Sequence, residues 1–190
     1  MNAGFAAGKV VLAPAIGGSV GNATTQLSRA LGAGHSISST TSHAKAKEAK
    51  ALGFSEVIDL TTEGLAEGVN RISEGHGADI VIDGIGGKIL SAALPALAPG
   101  ASVITLGYSA GRETTINVTD LIWKAASIKG FLLLTESASA RLAAWSVISD
   151  LLVSGKVKPT VAKVFALEDA AEGLRYLIEE RPFGRVVLKI

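Results

Sequence analysis

The sequence predicts one α/β domain, a doubly wound parallel sheet in three layers with helices on both faces. Three observations carry that prediction. Short, β-branched apolar runs alternate with helical periods along the whole chain, the sequence mark of successive βαβ units. The strand-like runs are continuously apolar rather than alternating, as strands buried on both faces are. Glycine stands just after several helical stretches, where a left-handed C-cap favours it. At 190 residues, the chain fits one large domain that can bury roughly 70% of its unfolded surface without a disulfide or a structural metal.

In chain order, strands are expected at residues 9–13 (KVVLA), at a segment ending in SSTT (38–41), and at 79–83 (DIVID), 102–106 (SVITL) and 185–188 (RVVL). Residues 128–134 (IKGFLLL) read as a long apolar strand at the edge of the sheet. Helical apolar faces fall at Val20, Ala23, Leu27, Ala30 and Leu31, and at Leu65, Val69 and Ile72. Two more lie at Leu142, Trp145, Ile148 and Leu152, and at Ala170, Leu174, Leu177 and Ile178. Gly32, Gly53, Gly75 and Gly155 mark the ends of helices. Trp123 and Trp145, with apolar neighbours at helical spacing, are expected in the core. Residues 156–168 (KVKPTVAKVFALE) form a lone extended piece outside the alternation, and neither repeat nor linker divides residues 1–190.

Composition excludes several classes. With 18 Lys and Arg against 17 Asp and Glu, the net charge is +1 and no basic face for nucleic acid is expected. No cysteine is present, so disulfides, thiolate zinc sites and cysteine nucleophiles are ruled out. The apolar run at residues 10–16 contains Pro14 and is too short to span a bilayer. It also lacks the flanks of a secretory signal. A soluble, cytoplasmic protein without a membrane partner is expected. His35, His43 and His76 are not at metal-ligand spacings, so no metal site is expected. Tyr108 and Tyr176 are followed four residues later by Arg112 and Glu180, not by the lysine of a short-chain dehydrogenase. Neither a Gly-x-Ser-x-Gly elbow nor a Gly-Lys-Ser/Thr phosphate loop is present.

One motif remains. The first strand runs into Ala15-Ile-Gly-Gly18-Ser-Val-Gly21, and a helix opens at Val20. This A-x-x-G-x-x-G turn lies between strand and helix, where a dinucleotide fingerprint requires it. A side chain at Gly18 would block a pyrophosphate from the backbone, and one at Gly21 would hold the helix off the strand. The helix start offers free N–H groups and a partial positive charge to phosphates. The region after the second strand then selects the cofactor. An acidic residue there would bind the ribose hydroxyls of NAD, yet the first acid in the chain is Glu48. The segment instead reads Ser38-Ser39-Thr40-Thr41-Ser42-His43-Ala44-Lys45. Hydroxyls and a lysine suit a 2′-phosphate, so NADP(H) is expected. Two further glycine turns, 83–87 (DGIGG) and 107–111 (GYSAG), follow strands at the same sheet edge and leave room for ribose and nicotinamide.

Residues 11–27 (VLAPAIGGSVGNATTQL), 80–87 (IVIDGIGG), 97–107 (LAPGASVITLG) and 182–188 (PFGRVVL) together resemble the cofactor-binding domain of the zinc-independent NADPH:quinone oxidoreductases. These belong to the medium-chain dehydrogenase/reductase superfamily. The resemblance implies a Rossmann fold, with pyrophosphate contacts at Gly18, Ser19 and Val20. It also implies 2′-phosphate contacts around Ser39, Thr40, Ser42 and Lys45, further cofactor contacts at Ile85 and Gly86, and nicotinamide-side contacts at Gly107, Tyr108 and Phe131. The chain departs from the family at Ser19, where glycine is usual, and at bulky Ile16. One extra residue leaves open which of Ser38, Ser39 and Thr40 turns to the phosphate. Such enzymes have a first domain that supplies the substrate pocket, and residues 156–168 resemble an excursion into it; the chain is expected to be part of a longer enzyme.

The expected function is hydride transfer from NADPH to a quinone or an activated alkene, in a homodimer joined through the edge strand at 128–134. An enoyl-thioester or alkenal reductase and a non-catalytic NADPH sensor are the alternatives. No residue stands out as an acid or base, and none is assigned as catalytic.

Overall fold

A computed structural model describes residues 4–190. Strands β1 (Val10–Leu12), β2 (His35–Thr40), β3 (Val57–Asp59), β4 (Ala78–Asp83), β5 (Leu97–Thr105) and β6 (Ser127–Gly130) form one parallel sheet in the order β3-β2-β1-β4-β5-β6. Helices α1 (Ser19–Ala30), α2 (His43–Ala51), α3 (Leu65–Ile72), α4 (Gly87–Ala93) and α5 (Val118–Ile122) lie in the crossovers. The strand order reverses between β1 and β4, and a doubly wound sheet opens a ligand crevice at the carboxyl ends of its strands there.

Parallel pairing explains the continuous apolarity. Val11 pairs with Ser36 on one side and Ile80 on the other, and Val10, Leu12, Ile37, Val81 and Val103 are buried in the core. The glycines expected to close helices do take left-handed φ, from +70° at Gly155 to +89° at Gly32. The inward face of α3 is the predicted one, with Leu65 and Val69 buried. Helix α1 differs. Its buried residues are Gly21, Asn22, Thr25 and Ser28, whereas Val20, Leu27, Ala30 and Leu31 are half-buried and Ala23 is exposed. The close approach of Gly21 to the turn leaves room on that face only for small side chains. Their polar atoms are satisfied locally: Thr25 Oγ1 donates to the Gly21 carbonyl at 2.8 Å and Ser28 Oγ to Ser36 Oγ at 2.9 Å.

The last third departs further from the sequence-based expectation. The edge strand is Ser127–Gly130, four residues, not 128–134. Its ladder with β5 ends at Gly130, and Leu133–Thr135 turn into a short 3₁₀ segment. Helix α6 (Ala138–Val153) and helix α7 (Ala170–Glu179) flank strand β7 (Val161–Ala166), and strand β8 (Arg185–Lys189) closes the chain. The extended piece at 156–168 is therefore not alone: β7 pairs in parallel with β8 in a second, two-stranded sheet. The expected inward faces of α6 and α7 lie largely at the surface, with Leu142, Leu174 and Ile178 exposed. Trp123 and Trp145 are 84% and 61% exposed, not core residues. No described helix is long and apolar enough to cross a membrane.

Candidate functional site

The β1–α1 turn is built by backbone packing. Ala15 sits at φ +64°, a left-handed position that glycine usually fills, and its carbonyl accepts from Gly18 N at 2.8 Å. A Cβ on Gly21 would fall 2.3 Å from that carbonyl oxygen and 2.5 Å from the Pro14 oxygen. Gly21 is thus required for helix and strand to meet. Gly18 is different: a Cβ there would be 3.3 Å from the Ala15 oxygen, so the fold itself nearly tolerates one. Ile16 points away from the opening, fully buried with Ala49, Phe54 and Phe183 in a small cluster. Its bulk therefore does not obstruct the turn.

Over this turn lies a cleft of about 630 Å³, within the size range of ligand sites. Gly18 and Ser19 line it from the turn, Ser39, Thr40 and Lys45 from the β2 end, and Ile85 from the β4 end. The three hydroxyl residues at the end of β2 differ in position. Ser38 is fully buried and its Oγ donates to the Ala13 carbonyl at 2.5 Å, while Ser39 and Thr40 reach the cleft. Of the residues singled out at the glycine turn and the β2 end, three lie outside it: Val20 packs against Gly84, Gly21 is buried under Ala15, and the Ser42 hydroxyl caps α2 by accepting from Lys45 N at 3.4 Å.

Arg181 also lines this cleft, next to Lys45 at the β2 end. The segment after α7 folds back over the glycine turn: Gly184 N donates to the Gly17 carbonyl at 3.0 Å, and Lys45 Nζ donates to the Arg181 carbonyl. Two cationic side chains therefore border one opening from elements far apart in sequence, and no carboxylate is among the lining residues. Asp59, at the end of β3, has both oxygens engaged. Hydrogen bonds from Thr61 Oγ1 at 2.6 Å and from His43 at 2.6 Å, with the Thr61 N–H, lower its pKa to about 2.

A second cavity of about 580 Å³ opens at the ends of β5 and β6, lined by Gly86, Gly107, Tyr108, Arg112 and Phe131 among others. Adjacent residues of one turn divide the two spaces, since Ile85 faces the first and Gly86 the second. Asp83, fully buried, holds that turn. Its carboxylate accepts from Ile85 N at 3.0 Å, Gly86 N at 2.9 Å and Thr105 Oγ1 at 2.9 Å. The glycine turns after β4 and β5 also interlock: a Cβ on Gly107 would be 2.3 Å from the Gly84 oxygen, and one on Gly86 would be 2.6 Å from the Gly111 oxygen. Their glycines serve this backbone contact as well as any ligand. Sequence reasoning missed Asp83, Arg112 and Arg181. Asp83 could have been found as an acid inside an otherwise apolar strand end, whereas no local pattern brings Arg181 to the β2 end.

Comparison with known proteins fits this geometry. Residues 19–149 match the family model of the zinc-binding dehydrogenases. A 2-haloacrylate reductase from a Burkholderia species is 29% identical over 194 residues, covering 95% of this chain and 55% of that protein. A Pseudomonas aeruginosa quinone oxidoreductase is 28% identical over 189 residues, covering 95% and 56%. Among solved structures, an NAD-dependent alcohol dehydrogenase superposes with a TM-score of 0.84 at 35% identity, over 100% of this chain and 53% of its own. The quinone oxidoreductase of Pseudomonas syringae pv. tomato gives 0.83 at 29% identity, over 98% and 58%. The chain spans about half the length of the curated relatives it matches.

The family's name calls for a test of zinc. The chain has no cysteine, and among the described residues no three His, Asp or Glu side chains gather as a metal site. Each histidine instead meets a carboxylate: His35 with Glu56, His43 with Asp59 and His76 with Asp79. These residues do not fit a zinc site. The 3-2-1-4-5-6 sheet, the glycine turn under the cleft and the family match agree, and the chain belongs to the zinc-binding dehydrogenase family of the medium-chain dehydrogenase/reductase superfamily, with that family's NAD(P)-binding Rossmann fold.

Proposed function

We propose that the chain binds NADP(H) across the two cavities and serves as the cofactor-binding part of a zinc-independent reductase that passes hydride to a quinone or an activated alkene. One observation carries the cofactor choice. Lys45 and Arg181 border the cleft at the end of β2 beside Ser39 and Thr40, with no carboxylate in the lining. A carboxylate in that place would repel a 2′-phosphate by about 4 kcal/mol at roughly 4 Å and an effective dielectric of 20. The one nearby acid, Asp59, spends its oxygens on His43 and Thr61.

NADPH, when bound, supplies the hydride. The chain's own residues bind and orient. Gly18, without a side chain, leaves the approach to the start of α1 open, and Ser19 offers backbone there, where N–H groups and the helix dipole favour phosphate. Ile85, Gly86, Gly107, Tyr108 and Phe131 form the walls at the ends of β4, β5 and β6. Asp83 keeps the turn between the two spaces fixed. Relatives named as quinone oxidoreductases and a 2-haloacrylate reductase support the acceptor classes. The free edge of β6 supports a homodimer, because an uncovered strand edge invites pairing with a second chain.

Calorimetry tests the cofactor choice. NADPH should bind at least tenfold tighter than NADH, about 1.4 kcal/mol. Lys45→Glu should remove most of that preference, and equal affinities in the unaltered chain would sink the proposal.

A further inference from the structure

We infer that His43 is a positioning residue for the cofactor choice: it holds the Asp59 carboxylate turned away from the first cleft, where that acid would disfavour a 2′-phosphate. The inference deepens the proposed function and rests on it. Asp59 stands one place outside the cleft. In the parallel ladder it pairs with Thr40, and the next residue in the chain is Leu60; Thr40 and Leu60 both line the cleft. The Leu60 N–H donates to the Thr40 carbonyl at 2.9 Å, so the end of β3 is fixed against the end of β2. Neighbouring strands lie only about 4.8 Å apart. A carboxylate free to turn at Asp59 would therefore stand at the margin of the cleft.

Two residues fix that carboxylate. Its Oδ1 accepts from the Thr61 hydroxyl at 2.6 Å and from the Thr61 N–H at 3.0 Å, and its Oδ2 lies 2.6 Å from His43 Nδ1. An ionised carboxylate only accepts, so the His43 proton lies on Nδ1 and is donated to Asp59. Thr61 ties down one oxygen, and His43 decides where the other points. The placement of His43 follows from the local fold. It is the first residue of α2, directly after the Ser42 cap, and Lys45 of the same first turn reaches the cleft. One helix start thus delivers a cation to the cleft and a clasp to the acid beside it.

The other two histidine–carboxylate pairs lie at the opposite end of the sheet. His35 and Glu56 join the start of β2 to the residue before β3, and His76 and Asp79 join the loop before β4 to its second residue. Among the described residues, only His43–Asp59 stands at the carboxyl ends of the strands, where a doubly wound sheet opens its crevice. The chemistry gives the pair a task there. A carboxylate beside the ribose accepts from its hydroxyls, as in NAD sites, and repels a phosphate in the same place. With its oxygens taken by His43 and Thr61, Asp59 does not accept from a ribose, and Lys45 and Arg181 face the phosphate unopposed. Without His43, Oδ2 is released beside the space that the 2′-phosphate needs.

The test is calorimetric titration of NADPH and NADH into the whole chain, read as the ratio of the two affinities. General loosening of the structure weakens both cofactors alike and leaves that ratio unmoved. His43→Ala should lower the preference for NADPH by about threefold or more, the scale of coupling between neighbouring residues. His43→Asn, whose amide nitrogen takes nearly the place of Nδ1, should keep it. Joining His43→Ala to Asp59→Asn should bring the ratio back to within about twofold of the unaltered chain, because the released acid is gone. Asp59→Asn alone approaches the same point from the partner and should keep or raise the preference. An unchanged ratio in His43→Ala, a double variant that stays low, or a lowered preference in Asp59→Asn would overturn the inference while leaving the cofactor choice standing. A ratio near one in the unaltered chain would overturn the cofactor choice itself, and the inference with it.

Discussion

Asp83 shows how much a single buried side chain can hold. Fully enclosed at the end of β4, it satisfies two backbone N–H groups of the next turn and the hydroxyl of Thr105. Asp83→Ala leaves those donors without a partner in a place water does not reach. Each orphaned donor costs about 1–3 kcal/mol, so urea unfolding should show a loss of several kcal/mol, with Thr105→Val losing only about 1 kcal/mol. The two glycines of the first turn should separate in the same experiment. Gly21→Ala forces a Cβ against two backbone oxygens and should destabilise by about 1–3 kcal/mol or more. Gly18→Val should leave folding nearly intact and weaken NADPH and NADH alike. Asp79 gives a pH dependence. Burial alone would raise its carboxyl, but hydrogen bonds from Lys9 Nζ, Val10 N–H and His76 outweigh that and hold it below the ordinary carboxylate range. A lowered folded pKa means the unfolded chain takes up the proton first, so this contribution is full above the ordinary carboxylate range and is lost as pH falls through the folded value. Asp79→Asn should flatten the acid limb of a stability–pH curve; an unchanged limb would refute the assignment.

At the scale of elements, legibility followed how local the determinant was. The doubly wound parallel sheet could be anticipated because βαβ alternation and a glycine turn between strand and helix are short-range signals, whereas the short β3 was not marked and β8 joins the second sheet instead. The inward face of α1 could not, because hydropathy marks Val20 and Leu27 as core while close backbone approach at Gly21 selects Thr25 and Ser28 instead. Among the candidate site residues, Gly18, Ser39, Thr40 and Lys45 line one cleft, yet Ser42 is taken by the helix cap. Arg181 joins them only through a return of the chain that no periodicity encodes. The edge strand was overestimated because apolar Leu132, Leu133 and Leu134 read as a continuation of β6, whereas the ladder ends at Gly130. Those leucines are exposed, as is Trp123 at the end of α5. If β6 pairs with a second chain, light scattering should give a dimer at tens of micromolar, an order-of-magnitude choice from ordinary affinities, and Trp123→Glu should lower the apparent mass. A monomer for the unaltered chain would count against pairing.

At the scale of the whole molecule, an exposed apolar surface bears on what the proposed cofactor site can accomplish. Val161, Val164, Leu174, Ile178 and Val187, on the two-stranded sheet and α7, are all exposed. A concentration of apolar surface like this usually marks a contact with another domain or chain. The cavity at the ends of β5 and β6 is likewise open to solvent. Hydride transfer requires donor and acceptor carbons held about 3–3.5 Å apart in a dry site, and such positioning can supply roughly 7–11 kcal/mol of the barrier reduction. An open cavity can bind a small acceptor weakly without confining it or excluding water. The 190-residue chain should therefore bind NADPH yet oxidise it with a small quinone or activated alkene no faster than NADPH reacts free in solution, as followed by the loss of its absorbance. Supplying the segment that covers the exposed face, as in relatives about twice as long, should raise the rate by several orders of magnitude, on the scale of the positioning energy above. Rapid turnover by the isolated chain would mean that β5, β6 and the turn held by Asp83 already enclose the acceptor, and that the exposed face serves assembly rather than catalysis.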